Sequence, residues 1–210
     1  MRGTPSGEKD ALPLAGSGPE GVGMAVDGHP ARSGGASHAR ELFRLVRTAV
    51  LALAVVALLQ RFVFNLSIVE GQSMEPTLSE GDWLLVNKMA MTMSSPHHGD
   101  VMIIRDPQPP DGSSDYLVKR VVGLPGDRVE IRDGSLYLNG EKLEEDYAGG
   151  DRTEGVFPPL TVGKGKLFVM GDNRLPLASR DSRAFGLVDE EDVRGRAEFV
   201  LWPAGHIDKL

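Results

Sequence analysis

The sequence predicts a mainly β chain over residues 65–210, preceded by one transmembrane helix over residues 42–64. Three observations carry this prediction. An uncharged apolar run, Thr48 to Leu59, lies between arginines. Beyond Phe64 the apolar residues fall in short alternating or β-branched runs, the pattern of strands rather than helices. Asp133-Gly134 and Asn139-Gly140 separate some of these runs, and both dipeptides tolerate the positive φ of tight hairpin turns.

Residues 1–41 are rich in Gly, Pro, Ser and Ala, their charges nearly balance, and no hydrophobic period is present. Such a segment buries too little apolar surface to fold, so a disordered tail is expected. The apolar run that follows is short enough to suit a buried helix or the core of a cleaved signal peptide. It is apolar all round, however, which suits lipid better than one face of a soluble core. A long neutral tail also precedes it, unlike a signal peptide. From Leu42 to Phe64 a helix would span roughly 34 Å, enough for a bilayer. Arg44, Arg47 and Arg61 near the ends can extend to the headgroups. Arg40, Arg44 and Arg47 on one side against Arg61 on the other place the N-terminus in the cytoplasm and residues 65–210 outside.

In the outer part the expected strands are Trp83–Val86, Val101–Ile104, Tyr116–Val122, Arg128–Arg132, Ser135–Leu138, Lys166–Met170 and Ala197–Trp202. Pro107 to Gly112 reads as a loop. Residues 127–166 form a small β excursion from the main body.

Composition excludes several functions. The net charge of −7 argues against nucleic acid as a partner. Without cysteine there is no thiol nucleophile, disulfide or thiolate metal site. The five histidines, His29, His38, His97, His98 and His206, show no metal-ligand spacing, so neither metal nor cofactor is expected.

Ser73, in Gly71-Gln72-Ser73-Met74-Glu75-Pro76-Thr77-Leu78, would need a base to act as a nucleophile. No histidine has an ordered apolar setting, which leaves lysine. Alternation in Tyr116–Val122 puts Leu117, Lys119 and Val121 on one strand face. Burial there would favour a neutral amine able to take the serine proton. An edge-strand lysine that blocks unwanted pairing is the competing reading, which the strand alone does not decide.

Taken together, the Ser73-Met-x-Pro-Thr-Leu segment, Lys119 to Asp127, Gly171-Asp172-Asn173-Arg174 and Asp181-Ser182-Arg183 resemble the boxes of type I signal peptidases. Gly99-Asp100-Val101, Phe199 to Pro203 and Arg61 to Phe64 add to the likeness, which covers roughly residues 42–203. The resemblance implies coiled antiparallel sheets around a hydrophobic groove, in a Ser/Lys serine endopeptidase that removes signal peptides from exported preproteins. Its partners would be those signal peptides, membrane lipid and the secretion machinery.

The resemblance also implies roles. Ser73 matches the nucleophile and Lys119 the general base. Ser179 resembles the serine that orients the lysine, with Ser182 as the alternative, because Leu175-Pro176-Leu177-Ala178 sets Ser179 two residues later than in many members. Asp181 with Arg183, and Asp172 with Arg120, resemble supporting ion pairs. Val69, Met74, Leu78 and Val118 match positions lining pockets for small side chains at the first and third positions before the cut. Gly71 stands where some members carry a serine that helps bind the oxyanion, so that hydroxyl is missing here.

Other functions fit less well. A self-cleaving repressor with the same dyad would need a helix-turn-helix, for which residues 1–40 hold too much Gly and Pro and residues 48–59 are too apolar. An inactive peptide-binding β-module would have no use for both Ser73 and Lys119. A penicillin-binding enzyme would need Ser-x-x-Lys, whereas Pro76 follows Ser73 at that position.

Overall fold

The computed structural model describes residues 35–109, 116–149, 152–153 and 155–210. The expected disordered tail lies outside the described residues up to position 34. From there the chain is helical: α1 runs Gly35–Phe62, so the helix starts before Leu42 and stops two residues short of Phe64. Within it His38–Phe62 contains an 18-residue window of mean hydropathy 2.2, none of it buried, and is long and apolar enough to cross a membrane. One uninterrupted helix also leaves no helix-turn-helix over residues 35–62.

The rest is antiparallel β. The main sheet is ordered β1 (Phe64–Ile68), β2 (Trp83–Asn87), β11 (Val193–Trp202), β3 (Val101–Arg105), β4 (Tyr116–Gly123), β9 (Lys166–Met170) and β10 (Val188–Asp189), with β12 (Asp208–Lys209) on β11. A smaller sheet is ordered β7 (Glu141–Lys142), β6 (Ser135–Leu138), β5 (Arg128–Arg132) and β8 (Phe157–Thr161), the excursion between β4 and β9. Register shifts in β11 and between β4 and β9 mark bulges, which increase local twist and let the sheet coil. Helices after α1 are single turns, α2 (Ala90–Met93) and α3 (Ser182–Phe185).

Every expected strand is present. Two five-residue strands escaped the pattern. β8 contains Pro158 and Pro159, which argue against a strand, but β8 is an edge, where a missing N–H costs no ladder bond. β1 was absorbed into the end of the apolar run. At both predicted hairpins the turn residues have positive φ: Asp133 (53°), Gly134 (73°), Asn139 (55°) and Gly140 (92°).

Three apolar clusters fill the β part. One joins Val69, Met74 and Leu78 to Leu84, Val86, Val101, Ile103, Ala197 and Val200. A second lies around Met102, Ile104, Val121, Leu167, Val169 and Phe185. A third joins Val122, Phe168 and Met170 to the small sheet through Val129, Ile131 and Leu136. Strand β4 contributes to all of them, so a residue midway along it is held from several sides.

Candidate active site

The loop after β1 is closed by backbone bonds: Val69 N–H donates to Asp82 O (2.9 Å) and Gly81 N–H to Val69 O (2.9 Å). Inside this closure Met74 and Leu78 turn inward, joined by one helical bond, Leu78 N–H to Met74 O (3.0 Å). Burying those two side chains presents Ser73 at the rim, half-buried. Gly71 sits in the left-handed region at φ 78°. A serine there would be strained, which gives a backbone reason for glycine at that place.

A second segment grips Ser73 from behind. Asn173 N–H donates to Ser73 O (3.1 Å), and Asn173 Nδ2 donates to Gln72 O (3.0 Å). Gly171 is packed so closely that a Cβ would stand 2.2 Å from Ser73 O and 2.4 Å from Ser179 Oγ. No side chain fits there without displacing Ser73.

Lys119 reaches the same point from β4. That strand lies between β3 and β9, so it is an interior strand, and the edge-guard reading falls. Lys119 is 2 % exposed. Its Nζ is 2.7 Å from Ser73 Oγ and donates to Val118 O at 2.8 Å. Burial pushes the amine down to about 8; the Asp181 and Asp172 carboxylates act upward against this and Arg183 acts downward with it. Desolvation wins because an ammonium loses its hydration and gains no salt bridge here.

Asp181 is buried and held by Arg183 through two side-chain bonds, Nε to Oδ1 (2.8 Å) and Nη2 to Oδ2 (2.7 Å). Gly171 N–H also donates to Asp181 Oδ2 (3.1 Å). Burial alone would raise this carboxyl, but the hydrogen bonds and charge of Arg183, with the Ser179 and Gly171 donors, hold it below the usual range. Asp172 and Arg120 form the second pair, again with two bonds (2.9 and 2.6 Å). Arg120 donates further to Gly99 O and stacks 4.1 Å from the Tyr147 ring centroid.

Ser179 departs from its expected position. Its hydroxyl donates to Asp181 Oδ2 (2.8 Å), and Lys119 Nζ donates to Ser73 Oγ and Val118 O instead of to it. Ser182, the alternative, accepts from Val169 N–H (2.9 Å) and begins α3. Neither serine orients the amine directly in this structure; the Val118 carbonyl does. Asp181, two residues away, takes the Ser179 hydroxyl's hydrogen bond because a carboxylate is a strong acceptor.

Val69, Met74, Leu78 and Val118 meet in one apolar cluster. The first three are sealed inside it, and only Val118 of the four keeps partial exposure. Sequence reasoning missed Glu145 and assigned no role to Arg174. Arg174 is fully buried, donates to both Glu145 oxygens (2.6 Å each) and bonds Gly171 O through Nε (2.8 Å). It therefore fixes the segment that holds Ser73. The Gly-Asp-Asn-Arg run drew attention to Arg174, but its partner is 29 residues away across the small sheet. Among the described residues no cluster of His, Asp and Glu could hold a metal ion.

Comparison with known proteins identifies the family. The family described as "Signal peptidase, peptidase S26" matches residues 42–202. A signal peptidase I of Bacillus licheniformis is 39% identical over 178 residues, 80% of this chain and 92% of that protein. Signal peptidase IB of Staphylococcus aureus is 33% identical over 181 residues, covering 78% and 91%. A crystal structure of a signal peptidase I from Enterococcus faecalis, 34% identical, aligns with 52% of this chain and 98% of its own at a TM-score of 0.41. With a family match over most of its length and relatives at this identity, the chain belongs to the signal peptidases, the S26 family of peptidases.

Proposed function

We propose that this enzyme removes N-terminal signal peptides from exported preproteins through a dyad in which Ser73 is the nucleophile and Lys119 the general base. The observation that carries the reading is the 2.7 Å separation of Ser73 Oγ and Lys119 Nζ beside a buried strand, with the amine pushed down to about 8. A neutral Nζ takes the Oγ proton as Oγ attacks the scissile carbonyl. The C–O bond forms and the carbonyl oxygen gains negative charge. The Ser73 N–H has no protein acceptor among the described residues and is free to bind that oxygen. The C–N bond then breaks, and Lys119 returns its proton to the departing amine. Water attacks the resulting ester as Lys119 takes its proton; the C–Oγ bond then breaks, Lys119 returns the proton to Ser73 Oγ, and the signal peptide leaves with a free carboxyl group. Val118, over the cluster of Val69, Met74 and Leu78, would meet the small side chains before the cut.

The pairing of Asp181 with Arg183 supports the chemistry electrostatically. Unpaired, that carboxylate would favour the ammonium with its full charge; Arg183 beside it offsets part of that pull. A test is the pH dependence of kcat/KM on one peptide substrate. Lys119 works when deprotonated, so the rate should rise with pH through about 8 and level off above. A profile flat from about pH 6 to 9.5 would contradict Lys119 as base.

We read α1 as the single membrane anchor, with its N-terminus cytoplasmic and the catalytic part across the membrane. Beyond the helix, β1, β2 and β11 share a sheet face on which Leu66, Ile68, Trp83, Phe199 and Trp202 are exposed. Trp and aliphatic side chains on one face beside a membrane helix suit the lipid interface. Protease added to intact cells or spheroplasts is expected to digest residues 65–210. Full protection until lysis would reverse the topology.

A further inference from the structure

A cleft of about 420 Å3 is lined by Val156, Phe157, Leu175, Pro176, Leu177 and Ser179, among others. Its rim is apolar and open to water: Val156 is 83% exposed, Leu175 59%, and Leu177 fully exposed. Leu177 also holds φ at 58°, a left-handed backbone that a branched side chain adopts only under strain. Nothing in folding stability calls for an exposed leucine there.

The loop carrying these residues is clamped at both ends. Arg174, before it, is buried on Glu145. Arg180, after it, pairs with the buried Asp106 and donates to Gln108 O (2.8 Å). Between them, Leu175 N–H donates to Asn173 Oδ1 (3.3 Å) and Ala178 N–H to Leu175 O (3.2 Å). An apolar surface held rigid loses little ordering freedom when it is covered.

The cleft reaches the segment that holds the nucleophile in place. Ser179 lines it, and Gly171 sits against both Ser179 Oγ and Ser73 O. Val118, partly exposed over the main-sheet cluster, is available to residues before the scissile bond. An endopeptidase substrate continues past that bond, and an extended chain advances about 3.3 Å per residue. Its next few residues must therefore cross the surface beside Ser73.

We propose that this cleft binds the first residues of the mature protein, those that follow the cleaved bond, and favours an apolar side chain among them. The proposal rests on Ser73 being the nucleophile. Leu175, Leu177 and Val156 supply the contact area, and the ion pairs of Arg174 and Arg180 keep it in place.

The test uses the full chain in detergent and two preproteins identical through the cut. They differ only at the second to fourth mature positions, three leucines in one and three serines in the other. Wild type is expected to favour the leucine preprotein roughly ten-fold in kcat/KM, mainly through KM. In Leu175→Ser/Leu177→Ser that preference should shrink to about two-fold or less, since the lost area is the source of discrimination. Equal rates in wild type, or a preference that survives the double substitution, would overturn the assignment. So would a dimer in sedimentation that the double substitution dissolves, because the cleft would then serve a second copy of this chain. Cleavage of neither preprotein by wild type would instead strike the Ser73 and Lys119 reading, which separates the two failures.

Discussion

Ser73→Ala is expected to cut preprotein at a rate lower by a factor on the order of 10^4 or more, while folding as wild type does. The oxygen that would form the ester is removed, and no other hydroxyl is bonded to Lys119 among the described residues. Ser179 Oγ is committed to Asp181 and Ser182 Oγ to the Val169 amide, so neither stands in. The structural cost is small. One hydrogen bond is lost at a half-buried position, about 1 kcal/mol, and the Met74 and Leu78 contacts that shape the loop are untouched. Cleavage in detergent, near-ultraviolet circular dichroism and substrate affinity should be measured together. An intact spectrum and affinity with no turnover is the expected set. Turnover within ten-fold of wild type would end the nucleophile assignment.

Lys119→Arg is expected to be as inactive as Ser73→Ala, despite keeping positive charge. A guanidinium does not lose its proton in proteins, so it can accept none from Ser73. Its larger head must also enter a site where Nζ is already packed against Val118 O and Ser73 Oγ. Lys119→Met serves as the companion, because it fits the apolar face and places no charge in it. The amine's folded value, about 8, lies below its ordinary value of 10.5, so the unfolded chain binds more protons between those limits. Stability therefore rises with pH through that window, and below about pH 8 the wild type carries the full penalty of a buried ammonium. Lys119→Met escapes this penalty and should be at least as stable as wild type at neutral pH, and less advantaged above pH 10.5. Inactivity with unchanged or higher Tm would exclude unfolding as the cause. Cleavage by Lys119→Arg at a rate comparable to wild type would remove Lys119 from the proposed mechanism.

What could be read without coordinates follows the range of the forces involved. Strand β4 is visible in Tyr116–Val122 because alternation is local, and the hairpins at Asp133-Gly134 and Asn139-Gly140 because positive φ is a property of the residues themselves. The bilayer-length helix is visible for the same reason, from its uninterrupted composition. Strand β8 was hidden because Pro158 and Pro159 are tolerated only where pairing is one-sided, a fact of sheet order.

The sequence by itself determined the fold class, the long apolar helix and, through motif resemblance, the pairing of Asp181 with Arg183 and Asp172 with Arg120. Only the tertiary structure decided that Lys119 lies on an interior strand and not an edge, because that depends on β9 returning from far along the chain to pair with β4, Met170 opposite Arg120. It alone brought Nζ within 2.7 Å of Ser73 and turned Ser179 onto Asp181. It also joined Arg174 to Glu145 and left Leu177 in the open beside the site. These outcomes depend on desolvation and on competition among acceptors, and both are set by neighbours distant in the chain.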